Sequence, residues 1–386
     1  MQPAMDVRLN EEQLMIQQSV RELALARIAP RAAEIDEKEE FPWDVVELFR
    51  SHDIFALPCP PEYGGLSGSA LTLNVAIEEI AKVCATSALI LAVQALGAYP
   101  IMIGGSDEQK QRFLPDLAAG RKLCAYALSE PGAGSDPAGM QTKATRRGDD
   151  YVLNGSKIWI TDGGVAETIV VFAKTDPGAG SRGISAFVVE DAQNQKGFKA
   201  STIHGKLGIR GSNTAELSFD DLVVPAANRL GDEGEGFKLA LRVLDRSRPG
   251  VAAQALGIAQ GALDYAVGYA KERHQFGKAI AEFQGLQFML ADMEAQVQAA
   301  RALVYLASQV IDAKGDNVGR YCALAKLVAG DAAMKVTTDA VQVLGGYGYV
   351  REYPVERMMR DAKITQIYEG TNQIQRVVIA RELLKA

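Results

Sequence analysis

Cysteine and histidine are scarce in this sequence of 386 residues. The four cysteines form no CxxC pair and the three histidines lie far apart, at Cys59, Cys84, Cys124 and Cys322 and at His52, His204 and His274. A disulfide framework or a zinc site needs closely spaced ligands, so neither is expected and no metal site is predicted. This pattern fits the reducing environment of the cytoplasm.

An excess of basic charge is also missing. The chain has 41 basic and 48 acidic residues, which gives a net charge of −7 and argues against non-specific nucleic-acid binding. The first residues, MQPAMDVRLNEEQ, lack the basic-then-apolar order of a signal peptide. We therefore expect a cytoplasmic protein without a nucleic-acid or membrane partner.

One long stretch, from Val83 to Ser106, contains no charged residue. Its length would suffice to cross a membrane, but Thr86, Gln94 and Pro100 interrupt it and nothing else in the chain is membrane-like. The composition favours a buried core helix.

Helical patterns fill the first third of the chain and its last part. Apolar residues at helical spacing predict helices over 11–29, 70–84 and 85–103, with others opening near Pro42–Asp44 and at Asp107. Long Ala/Leu-rich patterns return at 237–271, 283–314 and 319–344, followed by two shorter ones near 355–365 and 372–385. Long helices with short links predict an antiparallel bundle.

The middle of the chain has short β-rich runs separated by turn residues, at 151–161, 168–174, 183–190 and 215–224. This pattern predicts an antiparallel β domain. A GxGxxG match at 178–183 lies between two of these runs, where it predicts a hairpin loop and not a dinucleotide site. The expected fold is α+β and multidomain, with an N-terminal helical domain over 1–122, a middle β domain over 123–235 and a C-terminal four-helix bundle over 236–386.

The stretch IYEGTNQIQ, from Ile367 to Gln375, is the first chemical candidate. Thr371 is a plausible N-cap, so Glu369 would stand just outside a helix start. Its apolar neighbours Ile367 and Tyr368 would raise the pKa of its carboxyl, as suits a base that removes a weakly acidic C–H proton. A helix cap or dipole partner is the alternative.

Four further stretches are each consistent with a ligand site or with ordinary structure. YALSEPGAGSD (126–136) is a glycine-rich loop or a plain turn, and WITDGG (159–164) offers a flat ring and a hydroxyl, or a core Trp. RHQFG (273–277) and QVLGGYG (342–348) end long helices, where they bind a ligand or simply cap the helix.

Taken together, these motifs resemble the acyl-CoA dehydrogenase family in order and spacing. The series is YALSEPGAGSD, WITDGG, LDRSRPGVAAQALGIAQGALD, RHQFGK, FQGLQFMLADM, QVLGGYGY and RDAKITQIYEGTNQIQ, and it covers the chain from about Leu9 onward. The resemblance implies bound FAD and an acyl-CoA substrate. It implies α-proton removal by a carboxylate, hydride transfer to flavin N5, a trans-2-enoyl-CoA product and electron transfer to electron-transferring flavoprotein.

Carried over by position, the resemblance gives each site residue a role. Glu369 is the catalytic base. The substrate contacts are Ser135, Asp245, Arg248, Tyr368 and Gly370. The FAD contacts are Tyr126, Leu128, Ser129, Gly134, Ser135, Trp159, Ile160, Thr161, Arg273, Gln275, Phe276, Gln284, Gln342, Gly345, Gly346, Thr371 and Gln373, with several of them supplied by a neighbouring subunit. A shared site implies an oligomer, and the family implies a homotetramer.

The sequence departs from one pattern within the family. Relatives of the isovaleryl and long-chain type carry a Glu where this chain has Ser247, so the match is to the short-, medium- and 2-methyl-branched-chain type. An acyl-CoA oxidase, an enoyl-CoA reductase and a non-catalytic flavin-binding relative remain as alternatives. The chain length and Glu369 favour the dehydrogenase, and the acidic net charge disfavours a DNA-associated relative.

Overall fold

The computed structural model describes residues 8–385 and begins with a layer of helices. The expectation that the chain has no signal peptide rested partly on residues 1–7, which lie outside the described part. The N-terminal helices are α1 (Glu11–Leu23), α2 (Ala32–Lys38), α3 (Trp43–Ser51), α4 (Ala70–Ala81), α5 (Ala85–Gly104) and α6 (Asp107–Ala118). The prediction of one helix over 11–29 was wrong in detail, because α1 ends at Leu23 and a π turn follows over Ala24–Ile28. Helix α2 was not predicted.

Helix α5 carries the long uncharged stretch. Its length and composition would allow it to cross a membrane, but most of its residues are buried inside the protein. It packs against α4, α6 and α7 and against the first strand. The prediction of a buried core helix is confirmed.

The middle of the chain forms one sheet of eight strands. They are β1 (Cys124–Ala127), β2 (Lys143–Arg147), β3 (Asp150–Thr161), β4 (Thr168–Lys174), β5 (Ile184–Val189), β6 (Phe198–Thr202), β7 (Thr214–Pro225) and β8 (Arg229–Leu230). The order is β6-β7-β3-β2-β4-β5-β8, with β1 paired to β4. The prediction of an antiparallel sheet was wrong in part, since β1 and β2 both pair with β4 in parallel. Residues 177–183 link the antiparallel strands β4 and β5, so the hairpin-loop prediction is confirmed.

The C-terminal part is a helical bundle. Its helices are α7 (Gly236–Glu272), α8 (Gln284–Asp312), α9 (Val318–Leu344), α10 (Val355–Ala362) and α11 (Asn372–Leu383), with a small hairpin of β9 (His274–Gln275) and β10 (Lys278–Ala279) between α7 and α8. Helices α7, α8 and α9 pack on one another, and α10 and α11 pack on α9. The predicted fold class of helices, sheet and helices is confirmed.

Two buried carboxylates join α4 to its neighbours. Glu78 accepts hydrogen bonds from Arg301 at 2.8 Å and from Tyr305 at 2.9 Å, both on α8. Glu79 is bound by Arg21 of α1 at 2.9 Å and by Lys82 at 2.8 Å. Because a buried charge is tolerated only when it is paired, these contacts fix α4 between α1 and the bundle. Helix α4 in turn packs against α7, which carries Ser247 and Arg248 of the site described below.

Candidate active site

Glu369 lies in a tight turn directly ahead of α11. Glu369 and Gly370 both have left-handed backbone conformations, with φ of 52° and 88°. Glycine adopts this conformation freely, whereas a residue with a side chain loses about 1–2 kcal/mol there. Thr371 then caps α11, because its hydroxyl oxygen accepts the N–H of Ile374 at 3.2 Å. The predicted cap is confirmed, and Glu369 stands just outside the helix.

The Glu369 carboxylate faces α7 and α9. Ser247 of α7 donates its hydroxyl to the carboxylate, and the cations Arg248 and Lys326 lie close enough to act on it. Burial raises the pKa of Glu369 above its usual range, while the Ser247 hydrogen bond and the two cations oppose the shift. The upward direction agrees with the prediction. Of the two residues expected to bury the carboxyl, Tyr368 is half-buried, whereas Ile367 is 48% exposed.

Arg248, which was expected to contact the substrate, is almost fully buried. Its side chain is 5% exposed, and its Nη1 donates to Asp245 at 2.7 Å. Its Nε is buried without a hydrogen-bond partner in the protein. Burial raises the pKa of Asp245, and Arg248 opposes that shift. The pair therefore brings a guanidinium to Glu369, with the more exposed Asp245 on its outer side.

Two tyrosines complete this inner cluster. Tyr126, on β1, is buried with its hydroxyl donated to Ala240 O at 3.4 Å. Burial raises the pKa of Tyr126, and the negative charge of Glu369 adds to that shift. Tyr368 donates its hydroxyl to Gln254, whose Nε2 in turn donates to Ala85 O at 2.8 Å. The sheet, α5 and α7 therefore all meet beside the base.

A buried ion pair holds the glycine-rich loop that follows β1. Lys157, fully buried on β3, donates to Leu128 O at 3.1 Å and to Glu130 at 2.8 Å. Glu130 also accepts the backbone N–H groups of Gln141 and Thr142, at 2.5 and 3.0 Å. Burial lowers the pKa of Lys157 to about 8. Both ends of the loop are thereby fixed while its tip stays free.

The tip of that loop is open. Gly132 and Gly134 face empty space, because a Cβ added at either would meet no atom within 4 Å. Ser135 is exposed beside them, while Ser129 is tied to β3 by its carbonyl, which accepts the N–H of Ile158 at 3.0 Å. Backbone groups at such a tip can approach a ligand closely.

Trp159 stands in the open next to this loop. The register of β3 against β7 shifts between Lys157 and Ile160, and Trp159 in that bulge has φ of 63° and is 62% exposed. Ile160 is buried and Thr161 is half-buried at the strand end. A large aromatic ring placed in solvent on a strained backbone is typical of a binding surface and not of a core.

The other predicted cofactor contacts gather at the far end of the bundle. The Arg273 guanidinium lies over the Tyr347 ring at 5.2 Å, and the 93%-exposed Phe276 contacts Phe283 edge-on at 6.0 Å. Gln275, Gln284, Gln342, Gly345 and Gly346 are exposed around them. A helix rises about 1.5 Å per residue, so Arg273 lies roughly 37 Å along α7 from Arg248. The structure therefore does not bring these residues to Glu369 within one chain, while Thr371 and Gln373 lie beside it at the start of α11.

The structure fits a flat, extended cofactor such as FAD. Trp159 offers an exposed ring face and Thr161 a hydroxyl beside it, next to the open glycines of the 128–135 loop. At the far end, Gly345 and Gly346 likewise face empty space beside Arg273. Such surfaces give close backbone approach, aromatic contact and a cation for a phosphate.

Sequence reasoning missed three residues around this site. Lys326 and Lys157 are fully buried cations, and Asp162 is a buried carboxyl whose Oδ1 has no hydrogen-bond partner and whose pKa burial raises well above its usual range. A signal existed for Lys326, because it is the one charged residue in the small-residue run CALAKLVAG. Its contacts with the base-bearing turn come only from the fold.

Comparison with known families matches almost the whole chain. The N-terminal, middle and C-terminal domain models of acyl-CoA dehydrogenase match residues 10–121, 125–222 and 234–384.

Individual relatives agree along the full chain. The short-chain specific acyl-CoA dehydrogenase of Clostridium acetobutylicum is 50% identical over 99% of this chain and 100% of its own. Among solved structures, butyryl-CoA dehydrogenase from Megasphaera elsdenii has a TM-score of 0.96 and 46% identity, covering 99% of this chain and 100% of that one. A chain from a structure of the electron transferring flavoprotein of Acidaminococcus fermentans has the same TM-score, 47% identity and the same coverage.

Proposed function

The chain belongs to the acyl-CoA dehydrogenase family, and on that basis we propose that it oxidises a short-chain acyl-CoA to the trans-2-enoyl-CoA with Glu369 as the base. The family makes it a flavin-dependent oxidoreductase that uses FAD. Bound FAD supplies the acceptor for the β-hydrogen of the substrate, which leaves as a hydride.

One observation carries the assignment of the base. Glu369 is a carboxylate whose pKa is raised by burial, yet it is still partly accessible and hydrogen-bonded by Ser247. A base with a raised pKa is better matched to a weak carbon acid than an ordinary carboxylate. Ser247 and Arg248 both favour the ionised form of Glu369, which is the form that can abstract a proton.

The alternative base position supports the same place for the reaction. In the isovaleryl and long-chain pattern a Glu stands at position 247, and here the Ser247 hydroxyl contacts the Glu369 carboxylate directly. Both positions therefore reach one point beside α7. A substrate α-carbon at that point would be within reach of a carboxylate from either.

We further propose that each FAD site is shared between two subunits of a homotetramer. The 128–135 loop follows Tyr126, which lies close enough to Glu369 to feel its charge, and Trp159 lies next to that loop. Arg273, Phe276 and Gly345 lie instead at the far end of α7. One chain does not bring both groups to one cofactor, but a second copy packed antiparallel along the bundle would. Such a two-fold arrangement gives two equivalent sites per pair.

The acyl group and the electron acceptor are proposals that rest on relatives. The short-chain and butyryl-CoA names belong to proteins of 46–50% identity, which supports a short acyl chain. The similarity to a chain from an electron transferring flavoprotein structure supports that flavoprotein as the acceptor.

The experiment is an anaerobic titration of the purified, FAD-loaded protein with butyryl-CoA. We expect the visible flavin bands to bleach, and a series of longer and branched acyl-CoAs to rank below butyryl-CoA. Added electron-transferring flavoprotein should restore the bands faster than oxygen does. Flavin that no acyl-CoA bleaches would overturn the proposal, and rapid reoxidation by oxygen alone would turn it toward an oxidase.

A further inference from the structure

A second residue of the bundle contacts the turn that carries the base. Lys326, on α9, is fully buried, and its ammonium group donates to Gly370 O at 2.8 Å and to Asn372 Oδ1 at 2.9 Å. These acceptors stand one and three residues after Glu369. A buried ammonium is costly unless each of its protons finds a partner, so its placement under this turn needs an explanation.

The turn requires support from outside itself. Glu369 and Gly370 both have left-handed backbone conformations. Gln375 Nε2 donates to Gly370 O at 2.8 Å and more weakly to Glu369 O at 3.3 Å. Asn372 Nδ2 donates to Asp331 at 2.8 Å, so Asn372 links Lys326 to a second residue of α9. Strained turns of this kind persist only where their surroundings hold them.

Charge acts on the same turn. The groups that face Glu369 and Lys326 come from every element around them: Ser247 and Arg248 on α7, with Asp245 behind them; Tyr126 on β1; Asp331 on α9; and Tyr368 within the turn. Asp331 accepts hydrogen bonds from Gln366, Asn372 and Arg376. Arg248 is shared with Asp245. Lys326 has no carboxylate hydrogen-bonded to it in the described residues, and Glu369 is the first of the anions that act on it.

We propose that Lys326 is a positioning residue for the dehydrogenation: it holds the base-bearing turn through Gly370 and Asn372, and its positive charge keeps the Glu369 carboxylate ionised. This inference rests on the proposed function, because it assigns Lys326 a task only if Glu369 is the base. Lys326 acts through the base-bearing turn and through the Glu369 carboxylate.

The pH range of the effect follows from the state of Lys326. Burial lowers the pKa of Lys326 from 10.5 to about 7, with Glu369 opposing that shift. The ammonium is therefore charged below about pH 7 and loses its proton above it. While charged, it lowers the pKa of Glu369, so removing it should raise that pKa. The loss of flavin-reduction rate should appear at acid pH, where part of Glu369 is protonated and cannot act as a base.

The test compares flavin reduction by butyryl-CoA in the wild type and in Lys326→Met, in anaerobic rapid mixing from about pH 6 to 9. We expect the acid limb of the rate to move up by about one pH unit, so that the variant loses about tenfold more rate at the acid end than at the alkaline end. Lys326→Gln, which keeps a short donor but no charge, serves if the Met variant fails to retain FAD. Lys335→Met is the matched control, since Lys335 lies exposed on the same helix and pairs with Asp339.

The outcomes separate the two claims. A rate that falls equally at every pH, with the acid limb unmoved, overturns the electrostatic role of Lys326 and leaves only a structural one. A variant identical to the wild type overturns the positioning role as well. If no acyl-CoA reduces the wild-type flavin, the proposed function itself fails, and that result does not depend on any Lys326 variant.

Discussion

The hydroxyl of Ser247 donates a hydrogen bond to the carboxylate of Glu369 across 122 residues of sequence. Ser247 lies on α7, which packs on α4 and α5, while Glu369 lies in the turn that precedes α11. This bond stabilises the ionised form of the carboxyl against the burial that favours its neutral form. Burial raises the pKa of Glu369 and the Ser247 hydrogen bond lowers it, and the hydrogen bond can be removed by substitution.

Ser247→Ala should raise the pKa of Glu369. A hydrogen bond to a charged group contributes about 1.5–3 kcal/mol, so the acid limb of flavin reduction should move up by about 1–2 pH units. Below that limb the rate should fall, and well above it the rate should stay close to that of the wild type. The pH dependence of flavin reduction by butyryl-CoA measures this shift.

Ser247→Thr is the control, because it keeps the hydroxyl. Its acid limb should stay near that of the wild type. A Ser247→Ala variant whose acid limb does not move, or moves to lower pH, would contradict the role given to this bond.

The shared cofactor site predicts complementation between two inactive variants. Glu369→Gln lacks the base, and Arg273→Ala should retain FAD poorly. In a mixed pair, one site would combine the intact Glu369 of one subunit with the intact Arg273 of the other. About half of the sites in such pairs should then hold FAD that butyryl-CoA reduces.

The measurement is flavin bleaching by hybrids isolated with two different affinity tags. Lys271→Ala, an exposed cation on the last turn of α7, provides the matched single variant and should retain FAD normally. Hybrids with no more reducible flavin than the two parent variants would show that each site is built from one chain.

The sequence predicted the helices and the cap of this site better than the contacts between them. Helical spacing gave α4, α5 and the long bundle helices within a few residues, because their apolar faces are buried against one another. Thr371 was recognisable as a cap, because the signal is local. The parallel pairing of β1 with β4 was not, since strand direction depends on connections outside the strands themselves.

The contacts around Glu369 could not be predicted for a related reason. The hydrogen bonds of Ser247 and Lys326 join residues 122 and 44 positions apart in the chain. Periodicity and turn chemistry describe neighbours within about one or two turns and carry no information on such pairs. Burial of Glu369 was expected from Ile367 and Tyr368. Tyr368 is half-buried but Ile367 is exposed, so the direction of the pKa shift was predicted and only part of its cause.

The crossing of α4 and α7 predicts a stability difference between two glycines. A Cβ at Gly261 would lie 2.0 Å from Lys82 O, whereas a Cβ at Gly268 on the same helix would meet no atom within 4 Å. Gly261→Ala should therefore lower the free energy of unfolding by about 1–3 kcal/mol. Gly268→Ala should raise it by up to about 1 kcal/mol, since alanine favours helix. Thermal unfolding of the FAD-loaded proteins gives the order, and equal midpoints for the two variants would contradict the close crossing.

The most direct test of the account is flavin reduction in Glu369→Gln. The amide has nearly the shape of the carboxyl but is not basic, so FAD content and the affinity for butyryl-CoA should be kept. The rate of bleaching in anaerobic rapid mixing should fall by about 10²–10⁴-fold. Glu352→Gln, at an exposed position, should leave the rate unchanged. A Glu369→Gln variant that binds butyryl-CoA and is still reduced within about tenfold of the wild-type rate would show that another group removes the proton.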